Sequence, residues 1–259
     1  MLRDVVEKEQ LLNAGYTNLR EDELLKRVMA DAQAHCGSYL VFLNVDVVMK
    51  IEKDQELAEA VAKADYVVAD GMPLIWISKL FGRPLKEKIS GSDFVPRLCE
   101  AAAKEGRSVM LAGGKEDVLR RAGENLKKAY PELNLVGMYA PPFGFEESED
   151  EIEKMNEYIL AAKPDIFILC LGCPKQEKYI ANNREKYDAG ISVCAGATVD
   201  FLAGEVSRCP SWMSSHGLEW FYRFLQEPKR LFKRYFIDDI QIAGLMFKYR
   251  SQRRGKTQG

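Results

Sequence analysis

Short, almost wholly apolar runs alternate along this chain with longer stretches whose apolar residues recur every three or four positions. The runs are YLVFLNV (39–45), YVVAD (66–70), SVMLAGG (108–114), LNLVGMYA (133–140), DIFILCLG (165–172) and ISVCAGA (191–197). Their β-branched content and their lack of polar alternation predict strands buried on both faces. Between them DQELAEAVAKA (54–64), FVPRLCEAAAKEG (94–106), KEDVLRRAGENLKKAY (115–130), DEIEKMNEYILAA (150–162) and KQEKYIANNREKY (175–187) predict helices, and a further apolar helical segment runs from beyond Asp70 to Leu80. Residues 1–36 also read as helical, on the spacing within NLREDELLKRVMADAQA. Strands alternating with helices, without internal repeats, predict an α/β fold with a parallel sheet covered on both faces.

In such folds ligands sit beyond the carboxyl ends of the strands. Asn44, Asp70, Gly113, Gly114, Gly172 with PKQE, and Gly196 with ATVD all fall at or just past predicted strand ends. Gly113 and Gly114 lead straight into a helix, where backbone N–H groups can cradle a phosphate. Asp70 has two readings. It is a turn residue or the N-cap of the next helix, or it is a carboxylate held at a strand tip over a pocket. No G-x-G-x-x-G and no G-x-x-x-x-G-K-[ST] occurs, so the sequence carries neither the dinucleotide fingerprint nor the P-loop.

Charge divides the chain in two. Residues 207–259 hold eleven Lys or Arg against four Asp or Glu, a balance of +7; with -2 for the whole chain, residues 1–206 carry -9. The strand–helix alternation also stops there, and basic residues interleave with aromatics from Trp212 to Phe236. We read 1–206 as the core and 207–259 as a helical basic-aromatic appendage. Arg223, Arg230 and Arg234 are separated by seven and four residues, which projects them to similar sides of a helix. The appendage suits a polyanionic partner: phosphate oxygens, an anionic membrane or nucleic acid. Alternatively it packs its aromatics on the core and leaves its arginines in water. The six cysteines are scattered through apolar surroundings and read as reduced thiols, with packing the favoured role for Cys170 and Cys173 of CLGC. No secretory signal pattern or spanning apolar run is present, so the expectation is a soluble or peripheral protein.

Five ordered blocks resemble a known family. VVADGMPLIWISKLFGRPLKEKISGSDF, LAGGKEDV, LGCPKQEKYI, GATVDFLAGEVSRCPSWM and GLEWFYRFLQEPKRLFKRY are similar to successive blocks of the WecG/TagA/CpsF glycosyltransferases, from about Asn44 to Tyr235. The resemblance implies a compact Rossmann-like core with a C-terminal appendage. It implies inverting transfer of a sugar from a UDP-sugar to a polyprenyl-diphosphate-linked sugar, at the cytoplasmic face of a bacterial membrane. The best-known members move N-acetylmannosamine into teichoic acid linkage units or enterobacterial common antigen, without a metal cofactor. Carried over, Asp70 matches the catalytic base. Asn44, Gln176 and Asp200 match polar groups of the donor pocket. Arg223, Arg230 and Arg234 fall in a phosphate-binding block, with Lys233 the alternative to Arg234.

One position departs from the pattern: Phe42 stands where members often carry a threonine of the active-site pocket. The chain has no D-x-D metal motif, and arginines of the appendage are expected to meet the charge of the leaving diphosphate. Two rival classes remain at this stage: a nucleotide-binding oxidoreductase, and a nucleic-acid-binding module using the basic appendage. The missing glycine fingerprint counts against the first, and the acidic core against the second.

Overall fold

The structure, a computed structural model, describes residues 6–206 and 241–252 together with Tyr222 and Leu225. Among the described residues the parallel sheet has six strands: β3 (Ser38–Leu43), β4 (Tyr66–Ala69), β5 (Ser108–Ala112), β6 (Asn134–Tyr139), β7 (Ile166–Leu169) and β8 (Ile191–Cys194). They lie in the order β4-β3-β8-β7-β5-β6. The four central and left-hand strands β3, β4, β7 and β8 are buried at every residue, as unalternated apolar runs require. Strand period two then sends neighbours to opposite cores: Tyr39, Val41 and Leu43 to one, Leu40 and Phe42 to the other.

The first core lies under α2 (Val45–Ile51), α3 (Gln55–Lys63), α4 (Met72–Leu80), α7 (Glu149–Ala162) and α8 (Lys175–Asn183). The second lies under α1 (Glu21–Gln33), α5 (Gly91–Glu105), α6 (Glu116–Ala129) and α9 (Thr198–Leu202). The expected α/β class, parallel sheet and two-sided helical cover are all present, but β6, expected to be buried on both faces, is the edge strand and has no fully buried residue.

Two local expectations are corrected. Residues 1–36 are not one helical region: an antiparallel hairpin, β1 (Lys8–Leu11) and β2 (Ala14–Thr17), precedes α1. Its turn places Leu12 at φ 55°, and Tyr16 is fully buried in the first core, where burial pushes its hydroxyl pKa up. Strand β3 also stops at Leu43 instead of Val45. The Asn44 carboxamide accepts from Val47 N–H at 3.1 Å and starts α2 there.

Of the appendage's basic-aromatic stretch only Tyr222 and Leu225 are described; Arg223, Arg230 and Arg234 lie outside the described residues. The appendage's far end returns to the core as a helix over Ile242–Lys248, with Leu245 buried. Glu52, at the end of α2, accepts from Lys248 Nζ at 2.6 Å, Tyr249 OH at 2.9 Å and Asn13 Nδ2 at 2.8 Å. Gln252 Nε2 donates to Leu12 O at 2.9 Å. No helix among the described residues is long and apolar enough to cross a membrane.

Candidate active site

Strand ends converge on a cleft of about 320 Å³ at the carboxyl edge of the sheet. Asp70 stands on its wall. The Asp70 N–H donates to Leu43 O at 2.7 Å, carrying the β3–β4 ladder one residue past β4 and fixing the carboxylate at the strand tip. Gly71 then turns the chain at φ 139°, a value that only glycine adopts without strain. Gly71 also holds the N-cap position of α4, so Asp70 precedes the cap instead of forming it. Asn44 shares this cleft, and its carbonyl oxygen is committed to capping α2.

Gln176 is buried and braces the cleft. Its Oε1 accepts from Gly196 N–H at 2.9 Å and from Leu171 N–H at 3.4 Å, tying the loop after β7 to the loop after β8. Its Nε2 donates to Glu177 Oε1 at 2.8 Å. Glu177 is itself buried, its Oε2 has no hydrogen-bond partner, and burial pushes its pKa up despite the Gln176 donor. Across the cleft, Lys50 of α2 reaches Asp46 at 2.9 Å and Cys173 O at 3.2 Å. Phe42 lines the cleft and packs against Phe94 with ring centroids 5.9 Å apart, so an aromatic side chain stands where the family resemblance led to the expectation of a threonine.

A larger cavity of about 890 Å³ adjoins the first, over the ends of β5, β6, β7 and β8. Gly172, Gly196 and Ala197 line both. Gly114 and Asp200 line the larger cavity and not the smaller, so the expected donor-pocket set of Asn44, Gln176 and Asp200 is split between the two.

Gly113 lines neither cavity. Its N–H already donates to Tyr139 O at 2.9 Å, so of the glycine pair expected to cradle a phosphate only Gly114 stands on a cavity. Gly113 is glycine for another reason: its φ is 102°, and a Cβ there would stand 2.3 Å from Cys170 O.

Residues far apart in sequence complete the two clefts. Ser90, Gly91 and Ser92 bring the N-terminus of α5 to the smaller one, with Ser90 Oγ and Ser92 Oγ 2.9 Å apart. The SGSD string before a helical pattern was their only sequence signal. Phe143, Glu146 and Lys175 stand on the larger cavity. Cys170 and Cys194 are free and buried, which pushes both thiols above the ordinary range, as packing residues would be.

Comparison with known proteins gives the family. The sequence profile described as "Glycosyl transferase WecG/TagA/CpsF family" matches residues 9–256. An N-acetylglucosaminyldiphosphoundecaprenol N-acetyl-beta-D-mannosaminyltransferase of Bacillus subtilis is 29% identical over 194 residues, covering 75% of this chain and 73% of the relative. The protein of the same name from Bacillus spizizenii is 28% identical over an equal span. With a parallel α/β sheet, a carboxylate at a strand tip over a cleft, and a profile match over nearly its whole length, this chain belongs to the WecG/TagA/CpsF family of glycosyltransferases.

Proposed function

We propose that this glycosyltransferase moves a sugar, N-acetylmannosamine or a related hexose, from a UDP-sugar to polyprenyl-diphosphate-linked N-acetylglucosamine. The product would feed teichoic acid or a related cell-surface polysaccharide. The names of the two Bacillus relatives support the acceptor and the sugar. The observation that carries the chemistry is Asp70, a half-buried carboxylate on the wall of a cleft that opens into a second, larger one.

In this reading the acceptor hydroxyl sits in the smaller cleft against Asp70. As its oxygen attacks the anomeric carbon, its proton passes to the carboxylate. The bond between that carbon and the diphosphate oxygen breaks, and UDP leaves into the larger cavity with its bonding pair, so the anomeric configuration inverts. The charge building on the diphosphate needs cationic partners. Arg223, Arg230 and Arg234 are the proposed partners, in place of a divalent metal. The basic-aromatic appendage is further proposed to hold the enzyme at the inner face of the cell membrane, where a lipid-linked acceptor lies. Nucleic acid is no partner in this reading.

Asp70→Asn tests the base. The amide keeps size and polarity but accepts no proton at neutral pH. Turnover should fall by about 10²–10⁴-fold with UDP affinity kept, the usual span for general-base catalysis. Near-normal turnover by folded Asp70→Asn would remove Asp70 from the chemistry.

A further inference from the structure

Phe143 is wholly exposed, yet it is not on a loose loop. Pro141 and Pro142 precede it, and restricted φ angles stiffen the approach. On the other side Phe145 is buried against Tyr179, with ring centroids 5.9 Å apart, and its N–H donates to Pro142 O at 3.1 Å. Glu147 N–H donates to Gly144 O at 3.0 Å, closing a turn of 3-10 helix. An apolar ring is therefore held out in water at the rim of the larger cavity by a well-anchored segment.

One side of that ring is occupied. Lys175 Nζ stands 5.2 Å from the ring centroid and is ion-paired with Glu146. The surroundings carry charge as well as apolar surface: Lys115, Glu116 and Asp200 line the same cavity beside Val118, Pro141, Pro142 and Val199. A polyprenyl tail laid there would cover those charged groups and take them out of water without offering them a partner. A flat ring with a π-face and polar edges fits better, because it stacks on the phenyl group while its edge reaches hydrogen-bonding groups. Carboxylates in the same cavity can accept from N–H and hydroxyl groups, and its lysines suit phosphate oxygens.

We infer that Phe143 is the stacking platform for the pyrimidine base of the donor nucleotide, seated in the larger cavity with the diphosphate directed toward the smaller cleft. This rests on the reading of the donor as a UDP-sugar.

Because Phe143 packs in no core, its replacement leaves folding aside. Calorimetric binding of UDP and UMP, with inhibition by inorganic pyrophosphate as the base-free control, tests the inference on Phe143→Ala and Phe143→Tyr. Phe143→Ala should weaken UDP and UMP by about tenfold and Phe143→Tyr by under roughly twofold, as loss and retention of one base–aromatic stack require. Pyrophosphate inhibition should be equal in all three proteins, and the donor KM should rise in Phe143→Ala while the acceptor KM stays. If wild type binds UDP and Phe143→Ala binds it equally, the platform is refuted while the donor reading stands. If wild type binds no UDP, both fall. A rise confined to the acceptor KM would place the lipid-linked sugar at the ring and would also overturn the inference.

Discussion

Replacing Gln176 by Ala removes three hydrogen bonds from the partition between the two clefts. Two of the bonds are strong by geometry, Gly196 N–H to Oε1 at 2.9 Å and Nε2 to Glu177 Oε1 at 2.8 Å. The third, from Leu171 N–H at 3.4 Å, is long and contributes little. A buried donor or acceptor left unpaired costs about 1–3 kcal/mol. Glu177 is the more exposed to this penalty, because its Oε2 already lacks a partner. Taking about 1 to 2 kcal/mol for each strong bond gives a total of about 2–4 kcal/mol. For a chain of this size that lowers the melting temperature by roughly 5–15 °C. Turnover should also fall, by about 10–100-fold, because both loops that Gln176 joins line the clefts and small misplacements of reacting groups are costly. Thermal unfolding followed by circular dichroism, beside a transfer assay at a temperature where the variant is folded, measures both. Gln176→Glu separates bonding from shape, since it keeps the accepting oxygen but sets a second carboxyl against Glu177. Two facing carboxyls raise each other's pKa. A pKa raised in the folded state stabilises at low pH and is lost as pH rises, so Gln176→Glu should approach wild-type stability in acid and fall away toward neutrality. A Gln176→Ala protein with unchanged melting temperature and full turnover would refute the brace.

Two further predictions concern the charge on the leaving group. With arginines proposed to neutralise the diphosphate, saturating EDTA should leave transfer largely intact; complete loss, restored by magnesium or manganese, would show that a metal does this work. Replacing Arg223 and Arg230 together by Ala should remove most turnover while vesicle co-sedimentation is largely kept, since the other basic residues each add roughly 1 kcal/mol of attraction to an anionic surface. Full turnover of that double variant on a water-soluble acceptor would leave the appendage as an anchor alone.

Most of the strands were legible because burial on both faces leaves their runs nearly all apolar; β6, whose residues are half-buried or exposed, was legible only by its place in the alternation. IFIL of β7 and ISVC of β8 can be read in no other way beside predicted helices. The hairpin was not legible for the converse reason. KEQL is made of good helix formers, AGYT is too short for an alternation to show, and the helical spacing of α1 follows within a few positions. Helix α2 was hidden too, since VDVVMKI is β-branched and continues the strand before it. Only the capping oxygen of Asn44 ends that strand, and Asn serves turns, caps and pockets alike. In the site, the strand-end rule found Asp70, Asn44 and Gln176, all of them on the smaller cleft. It could not place Asp200 in the other cavity, nor bring Ser90 and Phe143 to the rims, because those facts depend on how loops from distant segments fold over the sheet edge.

Sheet order gives the two clefts a directional meaning. Asp70 follows β4, at one edge of the sheet, while Phe143 and Lys175 follow β6 and β7, toward the other. Neighbouring strands are about 4.8 Å apart, so β4 and β6, five spacings apart, are separated by about 24 Å. A donor laid from the β6 side toward β8 would present its anomeric carbon near the shared wall, with its diphosphate behind it and Asp70 ahead. Attack from the β4 side and departure toward the β5 side is the opposed geometry that inversion needs. The shared wall is suited to this passage. Gly172 and Gly196 both line it, and a Cβ added to either would meet no atom within 4 Å. Neither glycine is forced by packing, as Gly113 is, but both stand at positive φ, 77° and 57°, where a side chain strains the backbone; each also leaves empty the space where the two clefts join. A side chain there would also narrow the place where donor and acceptor meet in the proposed reaction, a second reason for glycine that lies in the substrate path, beside the one that the backbone imposes.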